Sequence, residues 1–469
     1  MAYNKSLNFK RIIICLSFLF ALCSPIVDWY YDTYSIFTTL AIFIFGIILW
    51  ISNIIPAALT GIVIIVLFSV SNVLTFEESA MGLGNPVVWL VISVLILSLA
   101  IRKYQFDLRI AYSLLILSKG NKKLVLLILI MISFVLIFLV PNAVARLTIL
   151  LSITEGILEG NNEGKNSNFT KASMLIVTYA PYMGTVAIFT GATGSIYAIG
   201  LFSEMLQYEW SYLYWMLLMV PGSILSLLTL WGLLLFLYPI KNNKLETSQT
   251  YFYQEKRKIG KITTKSYKLI IIYILLILLW MTTSLHPLSI PLVSVIIMTI
   301  LFIPGIELLD WKQTIQEIDW GIPILFAAGL TIAKAFQKSG ILEVVSSITT
   351  DFATEKPLPL VVCSIIVILI LIRLFFTNFN ATVATLLPII LIIAQNIGIN
   401  PIWFGMLALS VMSMAYILPT QSIGNMIMIS KQYYSPIDLL RTGIPLTMLM
   451  ICIFLGLAYI YWPMVGLSY

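Results

Sequence analysis

The sequence predicts an all-α polytopic membrane protein of about eleven transmembrane helices, in two inverted repeats with two re-entrant helical hairpins. Three observations predict it. Hydrophobic residues make up 60% of the chain and charged residues only 10%, with a mean hydropathy of +1.02. A soluble domain carries about 25% charged residues, because its surface faces water. Second, the apolar residues fall into runs long enough to cross a bilayer as helices. Third, two of those runs are too long for one span and are broken midway by polar residues.

In order, Lys5, Lys10 and Arg11 precede a first apolar run at 12–29. No small-residue cleavage site follows it, so it reads as a span and not as a signal peptide. The segment 1–34 is then an extra span ahead of the repeats. The first repeat covers 35–240, with spans near 35–53, 56–74, 85–105, 171–206 and 211–240. Its long run, 123–153, is interrupted at Pro141-Asn142-Ala143. A basic loop fills 241–266. The second repeat covers 267–469, with spans near 267–285, 288–304, 320–340, 402–432 and 444–465. Its long run, 358–396, is interrupted at Thr377-Asn378-Phe379-Asn380. Irregular backbone at membrane depth survives only where protein or a watery cavity satisfies it, which suits helical hairpins that enter and leave on one side.

Charge placement supports that topology. Arg102, Lys103, Arg109, Lys119, Lys122 and Lys123 cluster, as do the basic residues from Lys241 to Lys268, while Asp28, Asp32, Glu77, Glu78, Glu204 and Glu209 lie away from them. Basic loops stay in the cytoplasm. The N-terminus is therefore expected inside and Tyr469 outside, in a cell membrane. The net charge of +7 reflects topology and not a nucleic-acid partner.

The two halves also echo each other. Val87-Val88-Trp89 and Asp319-Trp320-Gly321 each open an apolar run, each followed by an interrupted stretch and then by a span broken with small and polar residues. These breaks read Gly191-Ala192-Thr193-Gly194-Ser195 and Pro419-Thr420-Gln421-Ser422-Ile423-Gly424-Asn425. Paired broken segments point to a transporter's binding site.

Leu418 to Asn425 resembles the second broken-helix motif, LPVATPPN, of the divalent anion/sodium symporter (DASS) family, within the ion-transporter superfamily. Ser430 to Tyr434 and Arg441 to Leu446 resemble its GYFK and KAGLPL segments. Asp319 to Gly340 resembles its WxxLLLFGGGLxLAxxLxxSG stretch, and Asn380 to Ala384 with Pro388 the tail of its second SNTATA tip. The resemblance implies a secondary active transporter, symporter or exchanger, for a small organic anion such as a di- or tricarboxylate. It also implies a homodimer, an elevator-type mechanism, and Na+ or H+ as coupling ion without a cofactor. The alternative is a sodium-independent permease for another metabolite or an inorganic oxyanion such as sulfate or arsenite. The family's Ser-Asn-Thr stands here as Asn378-Phe379-Asn380, and its proline pairs are replaced by Gly194 and by Ile423-Gly424.

Half-helices meeting at mid-membrane aim free N–H groups and positive dipole ends at the gap between them. Asn142, Thr193, Asn380, Thr382, Ser422, Asn425 and Arg146 are the expected substrate contacts. Asn142, Gly191, Asn378, Asn380 and Ser422 are the expected cation contacts, through oxygen ligands. The bland alternative for the glycines and hydroxyls is close helix packing. Arg146 and Arg373 lie within apolar runs, where arginine is costly and often functional. Either could supply the positive charge that sodium supplies in the family; otherwise Arg146 lines the cytoplasmic mouth or snorkels. Lys334 can face an aqueous cavity or a domain boundary, and His286 reads as a turn residue.

No HExxH, CxxC, GxSxG or phosphate loop occurs. Glu155, Glu159 and Glu163 read as a solvated helix end and not as a membrane enzyme's acidic cluster. No enzyme activity is expected.

Overall fold

A computed structural model describes residues 2–31, 35–52, 54–245, 248–341 and 357–469. Among them the regular structure is helical. The first half comprises α1 (Ala2–Tyr31), α2 (Ile36–Ser52), α3 (Ala57–Val70), α4 (Phe76–Ala80), α5 (Pro86–Lys103) and α6 (Phe106–Ile116). It continues with α7 (Lys122–Ile137), α8 (Ala143–Gly160), α9 (Asn168–Met183), α10 (Thr193–Leu206) and α11 (Tyr212–Leu237). The second half comprises α12 (Ser248–Lys258), α13 (Thr264–Met281), α14 (Ile290–Ile300), α15 (Trp311–Glu317) and α16 (Gly321–Lys338). It ends with α17 (Leu358–Arg373), α18 (Phe379–Asn396), α19 (Pro401–Met412), α20 (Ile423–Ser430) and α21 (Pro436–Gly456). The last helix runs on through a π-helical turn at Leu457–Tyr461 to Met464.

Local chemistry sets many of these ends. Asn85 accepts from the Val87 N–H ahead of Pro86, and Asn121 from the Leu124 N–H, each satisfying a donor that the helix itself cannot. Among the described residues six helices are long and apolar enough to cross a bilayer, and α15 with α16, bent by 61°, could make a seventh. The expected spans at 35–53, 56–74 and 288–304 appear as helices of 17, 14 and 11 residues. Four further helices, α4, α6, α12 and α15, were not anticipated from hydropathy, because they are short and amphipathic or polar. The basic loop holds one of them. Tyr251 of α12 lies against Gly156 and Gly160 of α8, which leaves no room for a side chain at Gly156.

Burial sorts the helices into an interior and a rim. The spans of α5 and α18 are 72% and 67% buried, against 33% for those of α11 and α13 and 17% for α1. The broken pair α9 and α10 is buried along nearly its whole length. Glycine lets neighbours close on this interior. A Cβ at Gly82 would stand 2.5 Å from the Ala327 carbonyl oxygen, so that turn packs directly on the backbone of α16. Nearby, Lys338 of α16 donates to Glu78 of α4 at 2.8 Å, and the ammonium holds the Glu78 carboxyl below its usual range.

Gly443 of α21 abuts the Tyr416 carbonyl at the second break. Gly443→Ala is expected to lower unfolding stability by about 1–3 kcal/mol, as overpacking does when backbone must shift. Thermal unfolding in detergent measures it, and an unchanged midpoint would contradict this packing.

Candidate substrate cavity between the helix breaks

Four chain interruptions, far apart in sequence, line one cavity of about 180 Å³. Pro141 to Val144 come from the break between α7 and α8, and Thr377 to Asn380 from the break between α17 and α18. Ala192 and Thr193 come from the break between α9 and α10, and Ser413 and Ile423 from that between α19 and α20. Tyr182, Thr185, Asp319 and Ile322 complete the wall.

The interruptions start helices at the cavity. Asn142 caps α8 by accepting from the Val144 and Ala145 N–H groups at 2.9 and 3.2 Å. Asn378 caps α18 by accepting from the Asn380 N–H at 2.8 Å. Ala192 and Ser422 hold matching extended conformations, φ −151° and ψ 148° against φ −150° and ψ 151°, just before α10 and α20. The starts of α8, α10, α18 and α20 thus lie at the cavity, where their positive dipole ends favour an anion.

Of the expected site residues, Asn142, Thr193, Asn378 and Asn380 line the cavity. The Thr193 hydroxyl donates to Asn380 Oδ1 at 2.9 Å, joining the first broken helix to the second interruption. Asn378, and not Asn380, is therefore the structural counterpart of Asn142. The others sit behind the wall. Thr382 donates to the Asn378 carbonyl at 2.9 Å, and Ser422 accepts from the Asn425 N–H at 2.9 Å. Asn425 donates to the Ala415 and Leu418 carbonyls at 2.9 Å each, bracing the second break from within.

The arginines are buried and hydrogen-bonded to backbone, which excludes snorkelling. Arg146 is 0% exposed and donates to the carbonyls of Val140 at 2.5 Å, Pro181 at 2.7 Å and Gly191 at 2.7 Å. Its expected direct contact with substrate gives way to this backbone role, since two guanidinium nitrogens are engaged behind the wall. Arg373, 2% exposed, donates to the carbonyls of Phe376 at 2.5 Å, Met412 at 2.7 Å and Gln421 at 3.3 Å. The two acceptor sets correspond. Val140 and Phe376 precede the interruptions, Pro181 and Met412 end the first half-helices, and Gly191 and Gln421 stand two residues before the second half-helices.

The glycines of the breaks serve packing, and they pack crosswise. A Cβ on Gly194 would stand 2.5 Å from the Phe379 ring, and one on Gly424 would stand 2.6 Å from Leu147 and from the Tyr182 hydroxyl. Gly191 instead abuts Ile137 of α7, within its own half. Each broken helix thus rests on the other half's interruption.

Sequence reasoning missed Tyr182, Thr185, Ser413 and the cavity-facing position of Asp319. Tyr182 lies inside an apolar run with nothing to mark it, yet its hydroxyl accepts from the Gly424 N–H at 3.0 Å. The Asp319 carboxylate is exposed and accepts from the Gly321 N–H at 3.0 Å. Lys334 lines a separate side cavity with Glu78 and Glu204. His286 is the turn residue expected, bonded to the Leu279 carbonyl and the Leu288 N–H. Glu155 and Glu163 pair with Lys431 and Lys122.

The sequence pattern of the sodium:sulfate symporter transmembrane region matches residues 9–468. The chain belongs to this family, the divalent anion/sodium symporters. It is similar to a membrane protein of Cupriavidus necator, 26% identical over 390 residues, covering 82% of this chain and 76% of that one. It is also similar to a sodium-dependent dicarboxylate transporter of Staphylococcus aureus, 24% identical over 89% of this chain and 84% of the relative. The protein of that same name in Staphylococcus saprophyticus is 24% identical, over 88% and 84%. The protein is a multi-pass membrane transporter and not an enzyme.

Thr193→Val keeps the shape of the side chain but leaves Asn380 Oδ1 without its donor. It is expected to cost about 1–2 kcal/mol of unfolding stability, read by thermal unfolding, and a neutral result would deny the bond.

Proposed function

We propose that this symporter-family chain carries a small organic anion, a di- or tricarboxylate, in the cavity between the four helix starts. The observation that carries the reading is the convergence of those N-terminal helix ends at one cavity. Backbone N–H groups and amides can hold carboxylate oxygens there without a carboxylate-pairing side chain on the wall. A volume of about 180 Å³ corresponds to roughly six waters. That suits an anion of a few carbons and is too small for a nucleotide. The larger cavity, of about 570 Å³, is lined by Glu209 and His286 and by no residue of the interruptions at 141–143 and 377–380. Dicarboxylate as the substrate class rests on the names of the staphylococcal relatives.

On this reading α7–α8 and α17–α18 are re-entrant hairpins within inverted repeats at 35–240 and 267–469, after an extra span at 1–34 and with a basic cytoplasmic loop at 241–266. The matching arginine contacts and crosswise glycine packing support that pseudo-symmetry. The N-terminus is then cytoplasmic and the C-terminus outside. Alternating access moves the site as an elevator against a dimeric scaffold.

Labelled succinate, citrate and sulfate supplied to proteoliposomes test the assignment. Succinate or citrate should enter, and Asn142→Ala should raise the half-saturating concentration about tenfold by removing a cap and a donor at the site. Entry of none of the anions would reject the carrier assignment. A thermal shift offers an independent readout: ligand at a hundred times its dissociation constant stabilises by about 2.7 kcal/mol.

A further inference from the structure

We infer that the substrate is an acidic amino acid, a dicarboxylate whose ammonium group meets Asp319. The inference rests on the anion-carrier reading and names the substrate within it.

The wall of the cavity between the helix breaks has two chemistries. Three asparagines of the interruptions line it, and each spends its amide oxygen inside the protein. Asn142 Oδ1 accepts from the Val144 and Ala145 N–H groups, and Asn378 Oδ1 from the Asn380 N–H. Asn380 Oδ1 accepts from the Thr193 hydroxyl. The three NH2 groups have no protein partner among the described residues. An amide NH2 group only donates, so all three suit carboxylate oxygens and none suits an ammonium. The positive ends of α8 and α18 begin at the same asparagines and add to that preference.

The remaining chemistry comes from the turn between α15 and α16. Asp319 brings a carboxylate to the same cavity. Its Oδ1 accepts from the Gly321 N–H at 3.0 Å, and no Lys or Arg lies within ion-pair distance of it among the described residues. An ionised carboxylate only accepts, so this part of the wall suits a donor or a cation. Capping α16 engages one oxygen and leaves the charge in place.

Donors from the interruptions and one negative charge from α16 fit a ligand that carries both signs. A plain dianion such as succinate matches the asparagines and is repelled by Asp319. An inorganic oxyanion meets the same conflict. An acidic amino acid presents two carboxylates to the donors and an ammonium to Asp319. Its net charge of one also lessens the cost of taking it out of water. Asp319 is exposed, so solvent attenuates the pairing and the preference is a matter of several-fold.

L-Aspartate and succinate make a matched pair, because they share a carbon skeleton and two carboxylates and differ by one ammonium. The test titrates each into the full chain in detergent, at neutral pH and fixed sodium chloride, with thermal shift as readout. Aspartate should bind about fivefold more tightly than succinate, the size of an exposed ion pair. Asp319→Asn keeps an oxygen for the Gly321 N–H and removes only the charge. It should weaken aspartate and tighten succinate, each about threefold, so that the preference reverses. A purely structural role for Asp319 would move both ligands the same way.

Succinate binding as tightly as aspartate to the unaltered protein, a comparison that needs no variant, would overturn the inference. So would a parallel shift of both ligands in Asp319→Asn. Either result leaves the carrier reading standing as long as succinate protects. Protection by none of aspartate, succinate, citrate and sulfate would reject the carrier reading and this inference together.

Discussion

The structure depends on how unwound backbone is satisfied at membrane depth. Each break frees carbonyl groups that a continuous helix would have bonded, and hydrocarbon offers them no partner. In both halves an arginine takes up that demand. Arg146 and Arg373 each bind three carbonyls from three separate stretches of chain, so each guanidinium joins an interruption to both sides of a broken helix. Remove either bond set and the tip, the half-helix end and the following turn lose their common anchor.

With the carbonyl ends engaged by cations, the amide ends of the half-helices are left to face the cavity. The oxygens turn back into the protein, while caps take up several of the first N–H groups: Val144 and Ala145 bond to Asn142, Asn380 to Asn378 and Gly424 to Tyr182. Crosswise packing at Gly194 and Gly424 then brings the two halves' helix starts together. The Thr193–Asn380 bond crosses the same boundary. Dipole ends and the buried arginines behind the wall supply a positive field there, which the exposed Asp319 carboxylate opposes.

The relatives named as sodium-dependent share about a quarter of their residues with this chain, and that level conserves architecture more readily than ligand identity. The departures fall at the helix breaks. Gly194 and Ile423-Gly424 replace proline pairs, and the tips carry Asn142 and Asn378 as helix caps.

Much of the architecture was legible because it follows from local composition. Apolar runs, basic loops and polar interruptions are one-dimensional signals, and bilayer thickness fixes their meaning. They identified the membrane class, the breaks at Asn142 and Asn378, and the broken spans at Gly191 and Ser422. Short helices such as α4 and α12 escaped because neither has an apolar run long enough to register, and α12 packs on α6 and α8, far away in sequence. Only tertiary structure paired Asn142 with Asn378, since Asn380 looks equally apt until its side chain is seen to accept from Thr193. Only tertiary structure gave the arginines a common role. Arg146 follows its interruption and Arg373 precedes its own, so no sequence offset relates them. Each reaches its carbonyls through space, because a guanidinium on a long stem can approach corresponding oxygens from either side of an interruption.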